Sequence, residues 1–136
     1  MTARHDINAN QGETLNLHIL YTDSNDDGID LSSYTAEMKV KRTFLGDSSL
    51  LYLTQGGGIT AGLTGSTGGI TGGIFLNIDA TGGSQTGGIR IVAGSTATSY
   101  IPDGRHHYDL EIKYSPTGET TRIVEGRFEC DGETTR

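Results

Sequence analysis

Asp23-Ser24-Asn25-Asp26-Asp27-Gly28 has the residue types and spacing of a cation loop. Side-chain oxygens recur at Asp23, Asn25 and Asp27, and Gly28 follows at the bend, as in the D-x-N-x-D-G opening of a calcium loop. The second half departs from that pattern. Asp30 stands where an apolar residue is expected and Tyr34 where a bidentate Glu is expected. The flanking segments alternate as strands, whereas that loop joins helices. Asp, Asn and Gly also make tight turns between strands, and on that reading the segment holds no metal.

The other chemistry-bearing residues are sparser. His106 and His107 are adjacent, so on a strand they point to opposite faces and cannot share one metal ion. With His5 and His18 they form no ligand spacing, and they read as surface or loop histidines. The glycine runs contain neither a phosphate-binding G-x-x-x-x-G-K-[ST] nor a dinucleotide-binding G-x-G-x-x-G between strand and helix. Asp109 and Glu111 share the outward face of a strand with Lys113, which leaves their carboxyls too wet for acid–base work. Cys130 is the only cysteine, has no evident base nearby and cannot form an intrachain disulfide. It reads as a small buried thiol. The tyrosines read as core or rim residues, and a carbohydrate platform would also call for Trp, of which there is none. No catalytic residue and no cofactor is assigned.

The elements around these residues are strands. Leu15, Leu17, Ile19 and Tyr21 alternate with polar residues over 12–22. Tyr34, Ala36, Met38 and Val40 do so over 34–44, against Thr35, Glu37, Lys39 and Lys41. Near the end, Tyr108, Leu110, Ile112 and Tyr114 alternate with Asp109, Glu111 and Lys113. A turn at Ser115-Pro116-Thr117-Gly118 follows, and then a strand with Val124, Phe128 and Cys130 on one face and Ile123, Glu125, Arg127 and Glu129 on the other. Period two with one apolar face is the mark of half-buried antiparallel strands. Leu50–Thr54, Ile74–Ile78 and Ile89–Val92 are shorter strands, and 96–100 can make at most one helical turn. The expected fold is all-β: one antiparallel sandwich of roughly seven to nine strands with Greek-key or immunoglobulin-like connections.

A single domain spans residues 1–136, with a polar N-terminal arm over 1–11 and a glycine-rich excursion over 55–94. Thr-Gly-Gly-Ile recurs at 67–70, 71–74 and 86–89, a period too short for a solenoid. The excursion is expected to protrude as a hairpin. Its Ile59, Ile70, Ile74 and Ile89 lack obvious local partners, so they are expected to contact a neighbouring subunit.

Three stretches resemble a family of small bacteriophage virion proteins. The closing hairpin has the family's "YDLE" strand at Tyr108-Asp109-Leu110-Glu111, its "R-hydrophobic-hydrophobic-x-G" strand at Arg122–Gly126, and a "VTR"-like ending at Thr134-Thr135-Arg136. Asp30–Arg42, preceded by Gln11-Gly12-Glu13-Thr14 and an Asp/Gly turn, is similar to "DLTGYTARMQVR". Ser95–Thr98 with Ile101–Gly104 is similar to the "SAxxTAxLPxG" stretch before the YDLE strand. The resemblance implies a non-enzymatic structural protein of a phage particle, most often of tail or baseplate. Tyr108, Asp109, Leu110, Arg122, Gly126 and Arg136 are then its structural motif. Capsid decoration and receptor or carbohydrate binding at a tail fibre are the alternatives.

Composition and charge exclude other classes. Of 136 residues 33% are apolar, Gly numbers 21 and the formal net charge is −7. A chain this acidic is a poor match for nucleic acid. No run approaches the ~18 apolar residues of a membrane helix. Met1–Asp6 is polar and no apolar stretch follows, so no signal peptide is expected. The expected partners are other virion proteins and copies of the chain itself, assembled in a host cytoplasm.

Overall fold

The computed structural model describes residues 3–42, 49–61, 70–79 and 81–132. Its strands are β1 (Ala3–Arg4), β2 (Ile7–Asn10), β3 (Leu15–Leu20), β4 (Tyr34–Lys41), β5 (Ser49–Thr54), β6 (Gly58–Ala61), β7 (Gly72–Ile78), β8 (Ser84–Ala93), β9 (Gly104–Tyr114) and β10 (Glu119–Asp131). A single-turn helix, α1 (Ser95–Thr98), lies between β8 and β9. The protein is an all-β sandwich. The larger sheet runs β1-β10-β9-β4-β5-β6, with β2 also pairing with β10, and the smaller runs β3-β8-β7. Within the larger sheet β9-β4-β5-β6 are joined antiparallel. That is the four-one-two-three order of a Greek key, with the return passing through the smaller sheet.

Alternation explains which faces meet. Ala36, Met38 and Val40 on β4, Leu51 and Leu53 on β5, and Tyr108, Leu110 and Ile112 on β9 are buried. Opposite them Ile74 on β7 and Ile89, Ile91 and Ala93 on β8 join the same apolar cluster. Leu31, Ala97 and Ile101 close its ends. Burying side chains of this size stabilises by about 1.5–3 kcal/mol each.

Three expectations are corrected by this packing. The described parts of the glycine-rich segment do not stand off the sandwich: they supply β6, β7 and β8, and so build both sheets. Ile74 and Ile89 are fully buried and Ile70 is 9% exposed. Ile59 packs partly buried against the core. These isoleucines therefore find their partners within the chain, and the expectation that they contact a neighbour loses its ground. The arm is the second correction. Residues 3–10 form β1 and β2, which pair parallel with β10.

The third lies in β10. Ile123, expected outside, is buried together with Val124. The register with β9 passes from Arg122↔Glu111 to Val124↔Leu110, which leaves Ile123 as the extra residue of a β-bulge. A bulge lets two successive apolar residues turn inward. It also brings Arg122 and Glu125, an odd number of residues apart, onto one face.

Candidate functional site

Two of the motif residues, Tyr108 and Gly126, meet the N-terminal arm at the edge of β10. The arm lies along it in one uninterrupted register, from Ala3 opposite Val124 to Asn10 opposite Asp131. Ile7 and Ala9 turn inward and are buried, while Asn8 and Asn10 are exposed. The arm crosses Gly126 with its backbone pressed close. A Cβ on Gly126 would stand 2.2 Å from the His5 carbonyl oxygen, so only glycine admits the arm there. The Tyr108 hydroxyl reaches across from β9 and donates to that same carbonyl. His5 N–H donates to Glu125 O at 3.0 Å, and Arg127 N–H donates to Asp6 Oδ1 at 3.0 Å. The Arg127 amide is the main cause holding the Asp6 carboxyl below its usual value. Burial, reinforced by the Asp6 charge, pushes the Tyr108 phenol up to about 12. Tyr108 is therefore a fixed neutral donor at any physiological pH.

The outer face of the larger sheet carries the polar half of the motif. Arg122 Nε lies 3.3 Å from Asp109 Oδ2, and its Nη1 lies 3.4 Å from Glu125 Oε2. Lys39 stands opposite Asp109 on the neighbouring strand, and its ammonium sits 5.3 Å from the centre of the Tyr52 ring. The Tyr52 hydroxyl donates to Glu37 Oε2 at 2.8 Å, which raises its pKa. Glu37 and Glu111 are direct cross-strand neighbours, a repulsive pairing. Oppositely charged groups are thus interleaved over a part-exposed surface that dips into a shallow hollow of about 190 Å³ lined by Glu37, Lys39, Asp109, Glu111 and Arg122. Such a face can dock a partner by charge complementarity, and its exposed pairs contribute little to stability.

Other sequence candidates fall elsewhere. Asp23 Oδ1 accepts from the Asn25 and Asp27 amides at 2.8 and 3.1 Å, so that carboxylate folds its own turn. Among the described residues no group of three or more His, Cys, Asp and Glu side chains is placed to hold a metal. His106 is a correction to the surface reading: it is 3% exposed, with Nε2 2.7 Å from the Pro102 carbonyl. His107 lies on the opposite, outer face with Lys41 opposite it. Cys130 is buried, and burial raises its pKa, so it is a poor nucleophile at neutral pH. Leu110 is fully buried in the core. Arg136 lies outside the described residues.

Asn77 has no counterpart among the sequence candidates. It sits at φ 58 in a bulge of β7. Its side-chain oxygen accepts from the Leu31 and Gly87 amides at 3.0 and 3.2 Å, and its Nδ2 donates to Asp30 Oδ1 at 3.0 Å. It fastens the end of the Asp-rich turn to the smaller sheet. Asn is the non-glycine residue best suited to that backbone region, but in the sequence it reads only as a break in an apolar strand.

The segments that carry the family resemblance meet in space. Asp30–Arg42 supplies β4, 108–111 lie on β9 and 122–126 on β10, three adjacent strands. Gln11 Nε2 donates to Ile101 O at 3.0 Å, and Thr98 Oγ1 donates to Glu13 O at 2.7 Å. The two remaining stretches are thereby joined to each other at the end of the sandwich.

No protein-family model and no curated protein matches the chain. Among solved structures, the chain is similar to the NK cell receptor Nkp44, described as a triggering partner in natural cytotoxicity. That likeness has a TM-score of 0.41 at 12% identity, covering 98% of this chain and 99% of the other. It is also similar to a structure from work on multimeric cell-adhesive interactions of VGSC beta subunits, with a TM-score of 0.41 at 13% identity, covering 96% and 92%.

Proposed function

We propose that this protein is a non-enzymatic structural component of a bacteriophage virion, in the tail or baseplate, acting through contacts between subunits. The observation that carries the reading is the convergence just described. Every described segment that resembles the virion family belongs to one contiguous unit, and its residues serve strand pairing and arm docking. Tyr108 and Gly126 shape the edge that receives the arm, and Arg122 orders the outer face with Asp109. The one cysteine, Cys130, is buried, and on the outer face Asp109 and Glu125 pair with Arg122 while Glu37 accepts from Tyr52. The interleaved charges of that face suit a neighbouring virion protein or another copy.

Immunogold labelling of phage particles with antibody to the purified chain tests the reading. Label on the tail or baseplate supports it. Label on the head lattice would move the protein to capsid decoration, and particles without label would refute a virion role. A glycan array with the purified chain separates the receptor-binding alternative.

A further inference from the structure

We propose that residues 3–10 are an exchangeable strand: the β10 edge that holds this arm in its own chain accepts the same arm from a second copy, linking neighbours by strand addition. The inference extends the assembly reading by naming the element that is shared and the partner that shares it.

The arm has the features of a strand ligand. It pairs with β10 alone among the described strands, it inserts two apolar residues, Ile7 and Ala9, and the rest is strand pairing plus two side-chain contributions, the Tyr108 hydroxyl and the Asp6 carboxylate. Strand addition elsewhere divides its labour in this way, with main-chain bonds for affinity and alternate side-chain pockets for register. The receptor is prepared for it by Gly126, the Tyr108 hydroxyl and the Arg127 amide, which match one position of the arm, His5-Asp6. An edge so specific to residues 3–10 is present in every copy, so the complementary ligand for it is a second copy's arm.

The hinge permits the transfer. Residues 11–14 join the arm, in the larger sheet, to β3 in the smaller. They are held in a tight turn by Glu13 N–H to Asn10 O at 3.1 Å and by Asn10 Nδ2 to Glu13 Oε2 at 3.0 Å. Gly12 sits in that turn at φ 85. Opened to an extended strand, these residues reach about 14 Å, more than the ~10 Å between packed sheets. The arm can thus leave its own edge while β3 stays in the smaller sheet. All contacts of the exchanged state except those of the hinge are those of the closed state, which is why such exchange is a low-cost route to association.

The test uses the full chain with Ala9→Cys. Ala9 and Cys130 are register partners, both buried, so oxidation links them only when the arm is docked. Isotopically heavy and light chains are mixed, incubated at rising concentration, oxidised, digested and read by mass spectrometry. Exchange predicts 9–130 disulfides joining heavy to light peptides, rising with concentration toward about half of all linked pairs, the statistical limit for identical arms. Chains oxidised separately before mixing give none. Linkage confined to heavy–heavy and light–light pairs overturns the proposal, and absence of any 9–130 linkage overturns the docking on which it rests. Native mass spectrometry of the unsubstituted chain gives an independent reading: heavy–light dimers that increase with concentration support exchange, and monomer throughout refutes it. Either failure leaves the particle-labelling result standing on its own.

Discussion

Gly126→Ala puts the arm-docking edge to its sharpest test, because the sign of the effect depends on whether the arm is there. An alanine Cβ would lie 2.2 Å from the His5 oxygen, 2.8 Å from the His5 carbonyl carbon and 3.0 Å from Asp6 Oδ1. The first two are backbone atoms, so no rotamer change relieves the clash and the arm itself must move. Overpacking of this kind costs about 1–3 kcal/mol. Against it stands the gain of replacing glycine within a strand, about 0.5–1 kcal/mol. With the arm docked, the net expectation is a loss of up to about 2.5 kcal/mol, or a melting temperature lower by up to roughly 8 °C. With the arm absent from the edge, the same change is a small gain. Chemical denaturation gives the sign, and hydrogen exchange gives the place. The His5 and Gln11 amides, which donate to Glu125 O and Asp131 O, should lose protection while the amides of β4 keep theirs. A stabilised variant with unchanged protection at His5 and Gln11 would refute the reasoning.

Four further outcomes follow from the packing. Leu110→Ala should destabilise by ~2–5 kcal/mol in urea unfolding, since Leu110 has no exposed surface; a change under ~0.5 kcal/mol would contradict its place in the core. Asn77→Gly keeps the φ of 58 open to the backbone whereas Asn77→Ala strains it, so Ala should be the less stable by about 1 kcal/mol, and equal stabilities would argue against the bulge. Asp6, Asp30 and Asp79 are held below 3.8 by hydrogen bonds, chiefly from the Arg127 amide, the Ser32 amide and the Thr81 side chain respectively. Because their folded values are lowered, the stability they contribute is present above about 3.8 and is lost as pH falls through the lower folded values. An acid titration of Asp6→Asn against the parent chain should show a smaller fall in Gln11 protection, and identical falls would detach Asp6 from arm docking. Chelator should leave the melting temperature unchanged, because Asp23 Oδ1 is occupied by backbone amides; a drop restored by calcium would show an ion in the Asp-rich turn.

Alternation made much of the fold legible. Tyr34–Val40 and Tyr108–Ile112 place their apolar residues at period two, and both appear as strands with the expected inner faces. The bulge was legible in principle: Ile123-Val124 breaks that period with two adjacent apolar residues, and a bulge is the local way to bury both. The arm was not. Ile7-Asn8-Ala9-Asn10 offers only one large apolar side chain, and its hydrogen-bonding partners lie at the far end of the chain, with Asp6 and Arg127 separated by 121 positions. Local composition carries no signal for such a pairing. The same holds for the role of Gly126, which a sequence shows as a weak point in a strand and the fold shows as the space through which another backbone passes.

The glycine-rich segment shows how composition misleads when read one residue at a time. Glycine in quantity suggests a chain that resists ordering, and that inference requires the glycines to face solvent. Gly73 instead faces the turn between β5 and β6, where a Cβ would stand 2.5 Å from Gly57 Cα. Gln55 bridges to Ile74 at the same place, and Gly56 N–H donates to Ile74 O at 2.9 Å. Two backbones touch there without side chains between them, and the larger sheet is fastened to the smaller. Direct backbone contact at this point adds to the side-chain packing between the sheets. The isoleucines beside these glycines are then drawn to the core, Ile74 and Ile89 fully and Ile59 in part. The proposed assembly role is therefore better sought in the interleaved charge of the β10-β9-β4 face and in the arm along the β10 edge.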